Sequence, residues 1–204
     1  DTSSDEAEMM RQVVDIMATR DMFASIDLHN NTGLNPHYAC VNVLEHTALH
    51  LASLFSRTVV YFVRPRGVAS MAMAALGPSV TLECGKVGQA HGVAHAREYL
   101  EACLRLAEHP ANPVAAHDID LYHTVATVKV SPAVDFGFGD RGRDLRFSED
   151  LDRLNFREVP AGTDTWDDEN AGQAFTQANC GSDGEPLTEA EFVPTGAGAR
   201  QEGL

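Results

Sequence analysis

Residues 23–33 have the sequence FASIDLHNNTG, an apolar run that ends in a histidine and passes into a polar loop. The apolar half predicts a buried strand over 22–28, and the asparagines, threonine and glycine after it are typical of a turn-rich loop. Residues 80–85, VTLECG, form a second apolar run that ends in a glutamate in the same way. Because ligands of an α/β sheet bind at the carboxyl ends of parallel strands, we expect His29 and Glu83 to reach a common rim.

The first half of the chain alternates between strand patterns and helix patterns. Strands are predicted over 22–28, 38–43, 58–63 and 80–84, and helices over 4–19, 44–57, 70–76 and 93–108. The connections between strands are long enough for parallel pairing. The fold class predicted is therefore α/β, with a mixed sheet flanked by helices.

The pattern changes after residue 112, where helical periodicity is lost and glycine, aspartate, proline and threonine become frequent. A strand is predicted over 119–130. We predict an α/β domain over 1–112 and a small β-rich domain over 113–204, whose tail from about Thr176 has the composition of a poorly ordered segment. The chain does not begin with methionine, and its first residues are typical of an internal helix, so we expect an N-terminal truncation.

Composition limits the classes of partner. The net charge of −15 argues against nucleic acid and against an anionic membrane surface, but it does not exclude an anionic small molecule. The four cysteines are widely spaced and form no C-x-x-C pair, which favours reduced thiols and a cytoplasmic location. No apolar run has transmembrane length, and no signal peptide opens the chain. The composition leaves open whether the chain forms a homo-oligomer.

His29 and Glu83 are the residues to which we assign chemistry. A neutral imidazole at a strand end suits a zinc ligand, and Asp27 on the same strand face is placed to support it. The alternative for His29 is a hydrogen-bonded histidine at a strand–loop junction. A partly buried Glu83 suits a general base, and the alternative is an ion pair with Lys86 or a nearby arginine.

Other polar residues give weaker signals. Arg64, after the third predicted strand, is placed either to grip a substrate carboxylate or simply to flank a turn. His37 is predicted to line the same rim as His29. His95 and Glu98 form the one H-x-x-E string of the chain, although helical histidines and glutamates are usually solvated.

Residues 27–38, DLHNNTGLNPHY, followed by residues 81–86, TLECGK, resemble the succinylglutamate desuccinylase/aspartoacylase family. The resemblance covers most of residues 5–131. It implies a zinc-carboxypeptidase-like fold and hydrolysis of the amide bond of N-acyl amino acids. It also implies that His29 is the third zinc ligand, that Glu83 is the catalytic glutamate, and that residues 1–112 are part of a catalytic domain.

The resemblance also implies what this chain lacks. The family takes its other two zinc ligands from an H-x-x-E motif before the D-L-H string, and no histidine precedes His29 here. The family's Asn-Arg substrate motif, which also precedes that string, is absent. His95 and Glu98 follow Glu83, in the wrong order for this role. We therefore expect that this chain alone binds zinc weakly or not at all and is inactive.

The predicted function is zinc-dependent hydrolysis of an N-acyl amino acid. Glu83 is the predicted catalytic residue, His29 the metal ligand, and Arg64, Asn30 and His37 the substrate-binding residues. Aspartoacylases have a substrate-binding arginine where this chain has alanine and methionine at 72–73, which argues against N-acetylaspartate. A non-catalytic relative that binds a small molecule or a partner is the alternative, and a peptide-cleaving carboxypeptidase is a third candidate.

Overall fold

The computed structural model describes residues 4–125, 128–130, 134–139, 143–158, 166–167 and 190–192. Contacts divide the chain into two compact units, Asp1–Thr124 and Val125–Leu204. The elements of the first unit, in chain order, are α1 (Asp5–Ala18), β1 (Ser25–Asn31), β2 (Tyr38–Val41), α2 (His46–Phe55), β3 (Thr58–Tyr61), α3 (Ala69–Ala74), β4 (Ser79–Lys86), α4 (Ala90–Cys103) and β5 (Asp120–His123).

The strands of the first unit form one mixed sheet in the order β1-β4-β2-β3-β5. Three neighbouring pairs are parallel: β1 with β4, β2 with β3, and β3 with β5. The central pair, β2 with β4, is antiparallel. The prediction of an α/β fold with a mixed sheet flanked by helices is confirmed. Because β5 pairs with β3, the first unit extends beyond residue 112, where the predicted α/β domain ended.

The hydrophobic core lies between one face of this sheet and the helices α2 and α4. Successive strand residues point to opposite faces, so alternate residues of β2 and β4 supply the core. The fully buried members include Ala39, Val41, Val59, Val80, Leu82 and, from α2, Leu51. Burying each side chain of valine or leucine size stabilises the fold by roughly 1.5–3 kcal/mol.

The first strand is longer than its apolar run. The sequence predicts a loop from Asn30, but β1 continues to Asn31 because a bulge after His29 brings Asn31 into register with Lys86 of β4. The side-chain amide of Asn30 also donates to the Gly85 carbonyl oxygen at 3.2 Å. Both asparagines are therefore held to β4 rather than released into a loop.

The second unit contains the short strands β6 (Val128–Val130), β7 (Phe136–Phe138), β8 (Leu145–Phe147), β9 (Trp166–Asp167) and β10 (Ala190–Phe192), with a 3₁₀ turn at Leu151–Leu154. β7, β8 and β9 form one sheet, and β6 pairs with β10. The predicted tail from Thr176 lies outside the described residues except for β10. In the part of the chain that the structure describes, no helix is both long enough and apolar enough to cross a membrane.

Candidate functional site

The candidate site lies where β1 and β4 end side by side. His29 is the parallel register partner of Glu83, and on the other side of β4 the antiparallel partner of Glu83 is Tyr38. Register partners on adjacent strands point to the same face of a sheet. The fold therefore brings His29, Glu83 and Tyr38 into one row at the carboxyl ends of β1 and β4.

His29 is held in place by the aspartate two residues before it. Its Nε2 lies 2.9 Å from Asp27 Oδ2, and half of the His29 side chain is exposed to solvent. The carboxylate fixes the orientation of the ring, as an acid beside a metal-binding histidine does. The same hydrogen bond also satisfies a purely structural histidine at a strand end, so the geometry is compatible with both interpretations.

The side chain of Glu83 is held by Asn31 at the end of β1. Asn31 Nδ2 donates to Glu83 Oε2 at 3.4 Å. The other side-chain atom of Asn31, Oδ1, is buried and accepts no hydrogen bond within the described residues. A buried acceptor without a donor is costly, and a ligand N–H beside Glu83 would satisfy it. Asn31 lies two residues after His29 and therefore on the same face of β1, but it was missed because the sequence predicted a loop from Asn30.

Glu83 also acts on the buried side chains next to it. Burial, and secondarily the Glu83 carboxylate, raise the pKa of Cys40 to about 12, and the same two causes raise the pKa of Cys84. Burial and Glu83 likewise raise the pKa of Tyr38. These thiols and this phenol stay protonated at neutral pH, so they are not the nucleophiles of the site.

Arg64 does not reach this site. It is exposed in the turn that follows β3. β3 runs parallel to β2, and β2 runs antiparallel to β4, so the carboxyl end of β3 lies at the opposite edge of the sheet from Glu83. The strand directions therefore place Arg64 away from His29 and Glu83, and its role in substrate binding stays a prediction.

His37 is placed on the other side of the sheet from the row of His29 and Glu83. Its ring packs against α2 and α4, with the ring centroid of Phe55 at 6.1 Å and that of His91 at 5.3 Å. The reason is strand alternation, since Tyr38, the next residue, is the register partner of Glu83. The expected position of His37 on the His29 rim is therefore corrected, and its role in substrate binding stays a prediction.

The H-x-x-E string of α4 has a structural partner. His95 Nε2 lies 2.8 Å from the carbonyl oxygen of Phe55, the last residue of α2. That carbonyl has no partner within its own helix, so His95 caps it.

The described residues do not assemble a metal centre. Among them, no group of three or more histidine, cysteine, aspartate or glutamate side chains is placed to hold an ion. His29 supplies one nitrogen-bearing ring, and its Nε2 is bonded to Asp27. The residues present therefore do not fit a zinc site by themselves.

Similarity to known proteins is found among solved structures. No protein-family model and no curated protein matches the chain. The chain is similar to the crystal structure of the succinylglutamate desuccinylase from Chromobacterium violaceum, with a TM-score of 0.47 and 15% sequence identity. The match covers 59% of this chain and 46% of that one, so the chain spans less than half the length of the desuccinylase.

Proposed function

We propose that this chain is the general-base part of a hydrolase that cleaves the amide bond of an N-acyl amino acid. The observation that supports this most is the parallel register of His29 with Glu83, together with the hydrogen bond from Asn31 to Glu83. An imidazole and an oriented carboxylate share one face at the carboxyl ends of two strands, where α/β sheets bind ligands.

Glu83 is the proton carrier of the proposed reaction. Its carboxylate takes a proton from a water molecule as the water oxygen bonds to the amide carbonyl carbon. The same proton passes to the amine as the carbon–nitrogen bond breaks, which leaves a carboxylic acid and a free amino acid. Asn31 holds Oε2 of Glu83, and this leaves Oε1 for the water.

Zinc enters the proposal only through His29. The family resemblance implies a zinc ion, but within the described residues no group of three or more histidine, cysteine, aspartate or glutamate side chains forms around His29. His29 is therefore proposed as one ligand, and the proton transfers of the reaction are assigned to Glu83. The side-chain amide of Asn30 donates to the Gly85 carbonyl oxygen and holds β1 to β4, and the role of Asn30 in substrate binding stays a prediction.

A non-catalytic binding protein is the second candidate. The observation that favours it is again the lack of a three-ligand group in the described part of the chain. Such a protein would keep the row of His29, Glu83 and Tyr38 as a polar pocket wall, and Asn31 Oδ1 would accept an N–H from the bound molecule.

The experiment is a substrate panel assayed on the protein as its gene encodes it, with zinc supplied. N-succinyl and N-acetyl amino acids are compared with unblocked dipeptides, and the release of free amine is measured by mass spectrometry. The proposal predicts amine release from acylated amino acids and at least about tenfold less from dipeptides. Saturable binding without any amine release would establish the binding protein instead, and preferential cleavage of dipeptides would establish a carboxypeptidase.

A further inference from the structure

A cluster of three imidazoles lies on the α2 and α4 side of the sheet, outside the candidate site. The histidine cluster consists of His37, just before β2, and of His91 and His95, one turn apart on α4. The ring centroid of His37 is 5.3 Å from that of His91 and 4.9 Å from that of His95. The ring of His95 also packs on Phe55 at 4.4 Å. At these distances two protonated rings would repel each other strongly.

The Nε2 atom of His37 lies in tight surroundings and has no hydrogen-bond partner among the described residues. This nitrogen is also buried. A Cβ built on Gly85 would lie 3.2 Å from this nitrogen and 2.9 Å from Gln89 Oε1, so the surroundings are tight. The His37 backbone is also fixed, because Ser56 Oγ donates to its carbonyl oxygen at 2.8 Å. His37 is only partly buried as a residue, but its Nε2 is enclosed against Gly85 and Gln89.

The charged neighbours of His37 oppose its protonation. Burial first, and then His95 and His91, lower the pKa of His37. From β4, Cys84 faces this side, and burial raises its pKa, so it stays neutral. From α2 the neighbours are Phe55 and Ser56, which carry no charge.

On α4, Tyr99 is buried near the cluster, and burial raises its pKa, so it too is neutral at physiological pH. Arg97 and Glu98, which follow His95 on that helix, are exposed, and Lys86 follows Gly85 at the end of β4.

We propose that the histidine cluster is an acid-sensitive contact that holds the first half of α4 against the end of β2 and the turn after β4, and that gives way when the cluster takes up a proton. Protonation places a desolvated charge at His37 beside two more imidazoles, and the cheapest relief is to move His91 and His95 away with α4. The contact borders the candidate site, since Tyr38 follows His37 and Gly85 lies two residues after Glu83. Acidification would therefore loosen the strand ends that carry His29 and Glu83, because the histidine cluster packs on the opposite face of the same part of the sheet.

The lowered pKa of His37 determines how folding stability depends on pH. The pKa of His37 is lower in the folded chain than its ordinary value near 6.5, so the unfolded chain binds more protons at mildly acidic pH. The contribution of a neutral His37 to the free energy of unfolding is fully present above about pH 6.5. It is lost as the pH falls below that value. Each pH unit by which the pKa is lowered corresponds to about a tenfold change in the ratio of folded to unfolded protein.

The test measures urea unfolding at pH 7.5 and pH 5.5 for the unaltered chain, for His37→Phe and for His117→Gln. Phenylalanine keeps a stacked ring but takes up no proton, and the side chain of His117 is 84% exposed, which makes it the matched control. We expect the ratio of folded to unfolded protein to fall on acidification in the unaltered chain and in the control, and to fall at least about threefold less in His37→Phe. The same pH dependence in all three proteins would overturn the proposal.

A second measurement on the unaltered chain decides the matter if His37→Phe fails to fold. Amide hydrogen exchange, corrected for intrinsic rates, is followed at both pH values. The proposal predicts that protection over Ala94–Glu98, whose amides bond within α4, falls about tenfold at pH 5.5, while Leu51 and Ala52 of α2 change by less than about twofold. Equal changes in both helices, or none in either, would contradict a contact that opens at α4.

Discussion

At the scale of single residues, Asn31 orients the carboxylate of Glu83 through a hydrogen bond. Asn31 follows His29 by two positions on the same face of β1, and its amide donates to Glu83 across a register shift of one position. Its Oδ1 is left buried without a donor among the described residues. The residue therefore contributes one hydrogen bond to the carboxylate and leaves one acceptor for a ligand.

The substitution Asn31→Asp tests this contact. It replaces a donor with a second carboxylate beside Glu83, so the chain loses a hydrogen bond and gains a repulsion. We expect the free energy of unfolding at pH 7 to fall by at least about 1 kcal/mol. Urea unfolding measures this, with the exposed Asn112→Asp as the control that shifts stability by less than about 0.5 kcal/mol. Equal effects at the two positions would show that Asn31 does not hold Glu83.

Gly92 on α4 shows a conflict between helix preference and packing. An alanine is favoured over glycine inside a helix by about 1 kcal/mol. A Cβ at this position, however, would overlap the Cys84 carbonyl oxygen of β4. We expect Gly92→Ala to lower the free energy of unfolding by about 1–3 kcal/mol, because the overlap pushes α4 away from β4.

The neighbouring Val93→Ala is the matched control for this substitution. Val93 is 71% exposed on the same turn of α4, so its truncation removes almost no buried contact. Chemical unfolding of both variants under one set of conditions gives the comparison. A stabilised Gly92→Ala protein would mean that α4 lies farther from β4 than described.

At the scale of elements, β4 is the strand on which the fold and the site both depend. It pairs with β1 on one side and with β2 on the other, and Leu82 at its centre is fully buried. We expect Leu82→Ala to cost about 2–5 kcal/mol through lost burial and the cavity that remains. Leu104→Ala, at a side chain that is 87% exposed just after α4, should cost less than about 0.5 kcal/mol. Thermal or urea unfolding distinguishes the two, and similar losses would argue against this register of β4.

The strands themselves could be predicted from sequence, but their directions could not. The apolar runs that contain Val59 and Leu82 form strands with buried residues, because hydrophobic residues in short runs pack into the core. The run that contains Ile26 also forms a strand, but the prediction that it is buried is wrong, since β1 lies at the edge of the sheet and Leu28 is exposed. Nothing in those runs specifies that β2 lies antiparallel to β4. The strand directions therefore decide which candidate residues lie near Glu83: the reversal places Arg64 at the far end of the sheet, and strand alternation turns His37 toward α4.

The pairing of His29 with Glu83 is the part of the site that sequence could specify. Both residues end apolar runs of similar length, and parallel neighbours bring such ends together. The asparagine contacts could not be specified in this way, because the polar residues from Asn30 onward are typical of a loop, whereas β1 continues to Asn31 through a register shift that no periodicity records.

At the scale of the whole molecule, the dominant property is the net charge of −15. Like charges repel more in the compact state than in the unfolded chain, and salt screens them. We expect the midpoint of thermal unfolding to rise between 20 mM and 200 mM sodium chloride at pH 7.5. Sorbitol of equal osmolality serves as the control and should have a smaller effect. A midpoint that falls with salt would mean that favourable ion pairs, such as Arg57 with Asp120, outweigh the repulsion.

The most direct test of the proposed function is the turnover number of Glu83→Gln on an N-acyl amino acid that the unaltered protein hydrolyses. Glutamine keeps the shape of the side chain but cannot carry the proton. The account predicts a fall in kcat of about 100-fold or more with KM changed by only a few fold, while the exposed Glu108→Gln keeps the unaltered kcat. A Glu83→Gln protein whose kcat stays within about twofold of the unaltered value would contradict the assignment of Glu83 as the general base.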